Sequence, residues 1–311
     1  MRRRWRSWRF SSLSMPIGGD VTVTDRFLAI DWGTTNRRVY LLDASGTVHE
    51  TFRDDRGVLA VGPGGFAEEV AAIRARLGDW PVIAAGMVGS QRGWAMVPYL
   101  SCPSGAAEIA GALHEVAPRT WIVPGLSDPR GDVMRGEEVQ LLGAVSAGLA
   151  PADALLCQPG THCKWARMQG GAVAAFSTSM TGEMFALLKQ HSLLAEFLGG
   201  PVADGPAFAG GVAASADPAL LTALFGVRAS ALLGLRAVED SAAHASGLLI
   251  GSDVRGAGVG PGVDVYLLAD PMLGALYTSA IAQCGGRAHL VDSHAAFVAG
   301  IAQIWSLVRD H

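Results

Sequence analysis

One short pattern occurs twice in this chain: an apolar strand, a Gly-Thr turn, then two further strands. In the first copy Phe27–Ile30 leads into Asp31-Trp-Gly-Thr-Thr-Asn-Arg-Arg38, followed by Val39–Leu42, the turn Asp43-Ala-Ser-Gly46 and Thr47–Phe52. In the second, Ala154–Cys157 leads into Gln158-Pro-Gly-Thr-His162, followed by Lys164–Met168, the turn Gln169-Gly-Gly171 and Ala172–Phe176. Three consecutive strands with short links read as an antiparallel meander. Helices and strands alternate after each meander, which calls for parallel strands joined by crossover helices. Helices are expected at about 63–77, 103–116 and 132–149, with strands at Val82–Ala85 and Trp121–Val123. The second half turns helical and Ala-rich over about 181–250. It closes with strand Val263–Leu268, helix 271–284, strand Ala288–Val291 and helix 293–308. The expected fold class is therefore α/β, with two similar domains at 26–150 and 151–311. The second carries a helical insertion at about 181–250, and the two Gly-Thr hairpins face each other across an inter-domain cleft. Such clefts are favoured ligand sites.

Length and charge agree with this. A chain of 311 residues is long enough for two domains and a substantial core. The formal net charge of −4 gives no general attraction to nucleic acid or to an anionic membrane, so neither is expected as a partner. Residues 1–14 hold five arginines and no acid. Residues 1–25 are expected to be a disordered Arg-rich tail outside the fold, with Met15 as an alternative start. No apolar run approaches the roughly 18 residues of a membrane helix, and no secretory h-region follows the arginines. Cys102, Cys157, Cys163 and Cys284 have no metal-ligand spacing and read as reduced thiols of a cytoplasmic protein.

A hairpin tip of Gly and Thr presents backbone N–H groups and hydroxyls in one direction, and successive amides form an anion nest. Asp31 ends an apolar strand beside the first nest. A carboxylate there repels phosphate unless a cation such as Mg²⁺ lies between them. Two nests and one carboxylate thus point to a magnesium nucleoside triphosphate. The first loop also holds Asn36, the chain's only asparagine, and the second holds Lys164, one of two lysines. Transfer to an alcohol needs a base as well. Glu137 opens a helix that leads back to the second hairpin, which places an acid at the cleft. The ordinary alternative is a carboxylate complementing the helix dipole, and it applies to Glu138 as well.

Several strings together resemble the 2-dehydro-3-deoxygalactonokinase family. They are Asp31–Arg38, Ala85-Gly-Met-Val-Gly-Ser90, Asp132-Val-Met-Arg-Gly-Glu-Glu138 and Pro159-Gly-Thr-His-Cys-Lys-Trp165, with Met180-Thr-Gly-Glu183, His191-Ser-Leu-Leu194 and Ser246-Gly-Leu-Leu-Ile-Gly251. The resemblance runs from about residue 27 to 308. It implies duplicated ribonuclease H-like domains of the actin-like, sugar kinase and heat-shock ATPase superfamily. It also implies ATP-dependent phosphorylation of the 6-hydroxyl of 2-dehydro-3-deoxy-D-galactonate, whose product is an aldolase substrate in galactonate catabolism. On that basis Gly33, Thr34, Thr35, Gly160 and Thr161 belong to the ATP site, and Asp31 lies near the Mg²⁺; Asn36 and Lys164, by their places in the two loops, are expected to join the ATP site. Related kinases place a Gly-Asp base where this chain has Gly136-Glu137; the extra methylene makes Asp132 a rival base. Ala269 stands where the superfamily usually has a glycine beside the adenosine. The substrate is a small sugar acid, for which Arg37, Arg92 and Arg135 are candidate carboxylate partners. The alternatives are a kinase of this fold for another keto-deoxy aldonic acid or an amino sugar, or a non-catalytic sugar-binding regulator. A homodimer is left open.

Other signals read as structure. Gly256-Ala-Gly-Val-Gly260 lacks a following helix and is a turn. His191 and His244 lack partners at metal spacing. Phe66, Val70 and Ile73 lie at helical spacing and belong to the core. Thr181 is placed to cap a helix.

Overall fold

In the structure, a computed structural model that describes residues 26–62 and 64–309, strand Arg26–Trp32 (β1) is buried on both faces. The Arg-rich tail and Met15 lie outside the described residues. Phe27 and Ala29 enter one core while Leu28, Ile30 and Trp32 enter another, as strand alternation requires of a central strand. β2 (Arg37–Asp43) and β3 (Val48–Asp54) complete the meander. Then come α1 (Phe66–Leu77), β4 (Val82–Gly86), β5 (Leu100–Ser101), α2 (Ala106–Gly111), β6 (His114–Ala117), β7 (Thr120–Ile122), β8 (Leu126–Asp128), β9 (Asp132–Met134) and α3 (Glu137–Ser146). The second half begins with β10 (Ala154–Gln158), β11 (Cys163–Gln169) and β12 (Ala172–Ser179). It continues with α4 (Thr181–His191), α5 (Pro206–Ala214), α6 (Leu220–Leu232) and α7 (Ser241–Gly256), then β13 (Asp264–Leu268), α8 (Pro271–Gln283), β14 (Arg287–Val291) and α9 (Ser293–Arg309).

The sheet orders are β3-β2-β1-β4-β7-β6 and β12-β11-β10-β13-β14. In both, the first three strands form an antiparallel meander and two more join in parallel, β4 and β7 in one, β13 and β14 in the other; β6 adds an antiparallel edge to the first sheet. The two halves thus share one topology, and β1 corresponds to β10.

Two expected helices are shorter than their apolar spacing suggests. The segment 103–116 gives only α2, because Gly111 ends the helix and His114–Ala117 pairs with β7 as a hairpin turned at Arg119. The segment 132–149 splits into β9 and α3 at Gly136, whose φ of 107° no helix interior accepts. A small sheet of order β5-β8-β9 was not expected. The helical region extends to Gly256 and builds its own core from Leu194, Leu198, Leu224, Val227 and Leu248.

The largest correction concerns α9. Its sequence position assigns it to the second domain, yet it lies on the first sheet, with Phe27 stacked on Trp305 at 5.0 Å and Tyr40 on Phe297 at 5.5 Å. α3 and α9 together fill the space between the sheets, sharing one core with Phe27 on one side and Leu156 on the other. Their crossing is close. A Cβ on Gly143 would stand 1.8 Å from the Ala296 carbonyl oxygen, and one on Gly300 2.0 Å from that of Val139. α1 covers the outer face of the first sheet, and α5, α7 and α8 that of the second. Among the described residues, no helix is long and apolar enough to cross a membrane.

Gly143→Ala should lower the unfolding free energy by about 1–3 kcal/mol through overpacking at this crossing. Gly111→Ala, where an added methyl meets nothing within 4 Å, should change it by less than about 1 kcal/mol. Equal effects in denaturant melts would mean that the crossing is not tight.

Candidate active site

Alternation along the meander decides which side chains face the space between the domains. Asp31 lies on the same face of β1 as Phe27 and Ala29, pointing to the α3–α9 side, and its cross-strand partner is Arg38. Arg38 in turn pairs across with Arg53. Arg37 points the opposite way. It is buried, its guanidinium forms ion pairs with Asp54 at 3.0 Å and Glu69 at 2.8 Å, and it lies over the Trp32 ring. The expectation that Arg37 binds substrate is therefore corrected: it is a structural cation, and Arg38 is the arginine on the cleft face. The pairing of Asp31 with Arg38 could have been read from the alternation of Tyr40 and Leu42 with Val39 and Leu41.

Both hairpin tips are held from behind by their carbonyls. In the first, the Gly33 and Thr34 carbonyls accept from the amides of Val58 and Leu59, both at 3.0 Å. Gly57 must be glycine there, since a Cβ would sit 2.3 Å from the Thr35 carbonyl carbon. In the second, the Thr161 carbonyl accepts from the Glu183 amide at 2.9 Å, and a Cβ on Gly182 would strike the Gly160 carbonyl oxygen at 2.4 Å. The amides of Thr34, Thr35, Gly160 and Thr161 find no acceptor among the described residues, so each tip offers unpaired N–H groups to an anion. Thr34, Thr35 and Thr161 are exposed; the Asn36 amide nitrogen donates to Thr35 Oγ1 at 3.2 Å.

α3 connects the two hairpins. A Cβ on Gly136 would come within 3.0 Å of Gly86 Cα, which seats the start of α3 on the end of β4, next to β1. One turn in, Gln140 Oε1 accepts from Gln158 Nε2 at 2.7 Å, and Gln158 is the β10 counterpart of Asp31. Glu137 and Gln140 lie on one face of α3, three residues apart. Glu137 Oε2 accepts from the Arg135 amide at 3.0 Å, and its other oxygen has no partner among the described residues.

Burial pushes the Asp31 carboxyl up to about 6; Arg38 opposes this, Glu137 adds to it, and Arg53 opposes it. Asp31 and Glu137 are thus close enough to feel each other. The Asp31 carboxylate makes no hydrogen bond or ion pair among the described residues, which leaves it available to a cation. Among those residues no group of three or more His, Cys, Asp and Glu could hold a metal. One carboxylate beside two phosphate nests suits Mg²⁺, which is held by one or two carboxylates together with phosphates and water.

Two further expectations are corrected. Asp132 is not a free base: its oxygens accept from the Thr178 amide at 2.6 Å and hydroxyl at 2.7 Å. Lys164 is buried, and its ammonium donates to the Val133 carbonyl at 2.8 Å and Thr178 Oγ1 at 2.7 Å, so it ties β9 to β12 instead of reaching a phosphate. Arg92 is exposed on the loop after β4. Thr181 does not cap α4; its hydroxyl donates to Asp253 at 3.0 Å, beside Trp165 Nε1 and the Tyr277 hydroxyl on the same carboxylate. Sequence reasoning missed Arg38, Arg53, Gln140, Gln158 and His294, the last in contact with Arg38 from the first turn of α9. It also missed the pair His162–Glu183 at 2.6 Å, which braces the second hairpin.

The model of the family described as 2-keto-3-deoxy-galactonokinase matches residues 31–304. The chain belongs to that family. It is 39% identical to the "Probable 2-dehydro-3-deoxygalactonokinase" of Rhizobium meliloti, over 92% of this chain and 100% of that one. It is 38% identical to the 2-dehydro-3-deoxygalactonokinase of Escherichia coli, over 91% and 98%. A crystal structure of a Sinorhizobium meliloti protein with the same kinase designation superposes with a TM-score of 0.82 at 36% identity, covering 91% of this chain and 98% of that one. The galactonokinase match begins at Asp31 and takes in both hairpins and the start of α3.

Next to Glu137, Glu138 is fully buried and both its oxygens accept from the Gly136 amide, at 2.9 and 2.7 Å. Burial, and then the Glu137 charge, push it up to about 8. Because the folded value lies above the unfolded one, this group's contribution to stability falls as pH rises from the ordinary carboxylate range to about 8, then levels off. Glu138→Gln should remove that part of the slope, so the variant should gain thermal stability relative to wild type between pH 5 and about 8. Parallel melting curves across that range would contradict the assignment.

Proposed function

We propose that this protein transfers the terminal phosphoryl group of ATP to the 6-hydroxyl of 2-dehydro-3-deoxy-D-galactonate, as a cytoplasmic enzyme of galactonate catabolism. The observation that carries the reading is the placement of Glu137: half-buried, with one carboxylate oxygen unpartnered, at the helix start that joins Asp31 to the second hairpin. Membership of the 2-keto-3-deoxy-galactonokinase family and the names of its relatives supply the substrate.

In this reading the unpaired amides of the two tips, with the Thr34, Thr35 and Thr161 hydroxyls, bind the phosphates. Asn36 orders the first tip through Thr35, and Arg38 adds positive charge from the cleft face. Mg²⁺ would be held by Asp31 together with phosphate oxygens, neutralising charge that develops on transfer. The purine would take a recess beside the second tip. An apolar cavity of about 150 Å³ next to Gly160 is lined by Phe185, Ile250, Met272 and Tyr277. Ala269 is not part of its lining; its methyl lies against Gly274 on α8. Glu137 takes the proton from the 6-hydroxyl as the oxygen attacks phosphorus in line. Closing the cleft over both substrates excludes water, which would otherwise be the acceptor.

Glu137→Gln should lower kcat by about 10²–10⁴-fold with little change in the KM for ATP, measured by coupled ADP release. Undiminished turnover would remove Glu137 as the base. Mg²⁺ affinity should fall as pH drops through about 6, where Asp31 gains its proton, and should be flat above it. A pH-independent affinity would place the metal elsewhere.

A further inference from the structure

Arg135 is the most anomalous side chain of the first domain. It is 92% buried, at 8% exposure, yet no carboxylate pairs with it among the described residues. Its Nη2 donates to the Val97 carbonyl at 2.7 Å, and the guanidinium lies over the Tyr99 ring at 4.3 Å. Its Nε and Nη1 have no hydrogen-bond partner. Arg37, by comparison, is equally buried but has two acids against it. An uncompensated buried guanidinium with two orphaned donors is strongly unfavourable, and folded proteins keep such groups for a ligand or a switch.

Its surroundings point to the ligand. Arg135 precedes Gly136-Glu137, so the cation and the base flank one glycine at the start of α3. It lies beneath the loop that runs from Gly89 to Tyr99 after β4. Gly89 leaves it room: a Cβ there would be 2.7 Å from Nη1. Glu138 feels its charge, but both Glu138 oxygens accept from the Gly136 amide.

We propose that Arg135 anchors the carboxylate of the sugar acid through its two unpartnered donors, and so selects anionic over neutral acceptors. The assignment rests on the kinase reading above and deepens it, naming the residue that sets acceptor class. On binding, the carboxylate takes the guanidinium's vacant donors as a planar, two-oxygen acceptor, a match that lysine cannot reproduce.

The test is calorimetric binding, without nucleotide, of the keto-deoxy acid and of its neutral C1 carboxamide. Wild type should bind the acid about 10–100-fold more tightly than the amide, and Arg135→Lys should lose most of that preference while amide binding stays unchanged. Gly89→Ala, which crowds Nη1 without removing the charge, should weaken the acid selectively and stands in should the lysine variant fail to fold. Equal losses for acid and amide, or a retained preference, would overturn the anchor. The kinase reading fails separately: acid preference without any ADP release in turnover would leave the anchor standing and remove the activity.

Discussion

The molecule depends on one helix crossing. α3 and α9 meet where Gly143 and Gly300 leave no room for a side chain, and this close approach lets a single pair of helices serve as the inner layer for both sheets. Hydrophobic burial along the pair holds the halves together. Its geometric consequence is chemical. Because α3 starts against the end of β4 and its first turn bonds to the end of β10, the carboxyl ends of both central strands come to the same helix terminus. Each of those strand ends carries a hairpin whose carbonyls are tied behind and whose amides are not.

Charge in the cleft is arranged locally and against the sign of the whole chain. The protein is net negative, yet its ligands are anions. Asp31, Glu137 and Glu138 lie close together, and burial holds both Asp31 and Glu138 well above the carboxylate norm. Arg38 and Arg53 stand side by side on adjacent strands, an unfavourable juxtaposition unless an anion lies between them. The folded protein thus carries several electrostatic costs at one place, as expected where substrates and a cation complete the charge balance.

Much of this was legible in the sequence because strands and hairpins are local. The two meanders, the Gly-Thr tips, and the places of Asp31 at the end of β1 and Glu137 at the start of α3 all follow from short-range pattern. Errors arose where a residue's fate depends on what packs against it. Arg37 and Arg38 are adjacent, and only the identity of the two faces separates a structural ion pair from a cleft residue. Lys164 and Asp132 looked like site residues by their motifs, but they meet across Thr178 and hold the halves together. α9 reads as part of the second half; its stacking on Phe27 and Tyr40 is a contact across almost the whole chain. His294 was out of reach for the same reason.

The two hairpins and Glu137 are proposed to form one transfer site that directs phosphoryl groups to an alcohol and away from water. The most direct measurement is the stoichiometry of ADP released to phosphorylated sugar acid formed, with the product's phosphate position read by ³¹P–¹H correlation. One ADP per 6-phosphate is expected. ADP release without phosphorylated acid, or a phosphate at another hydroxyl, would contradict it.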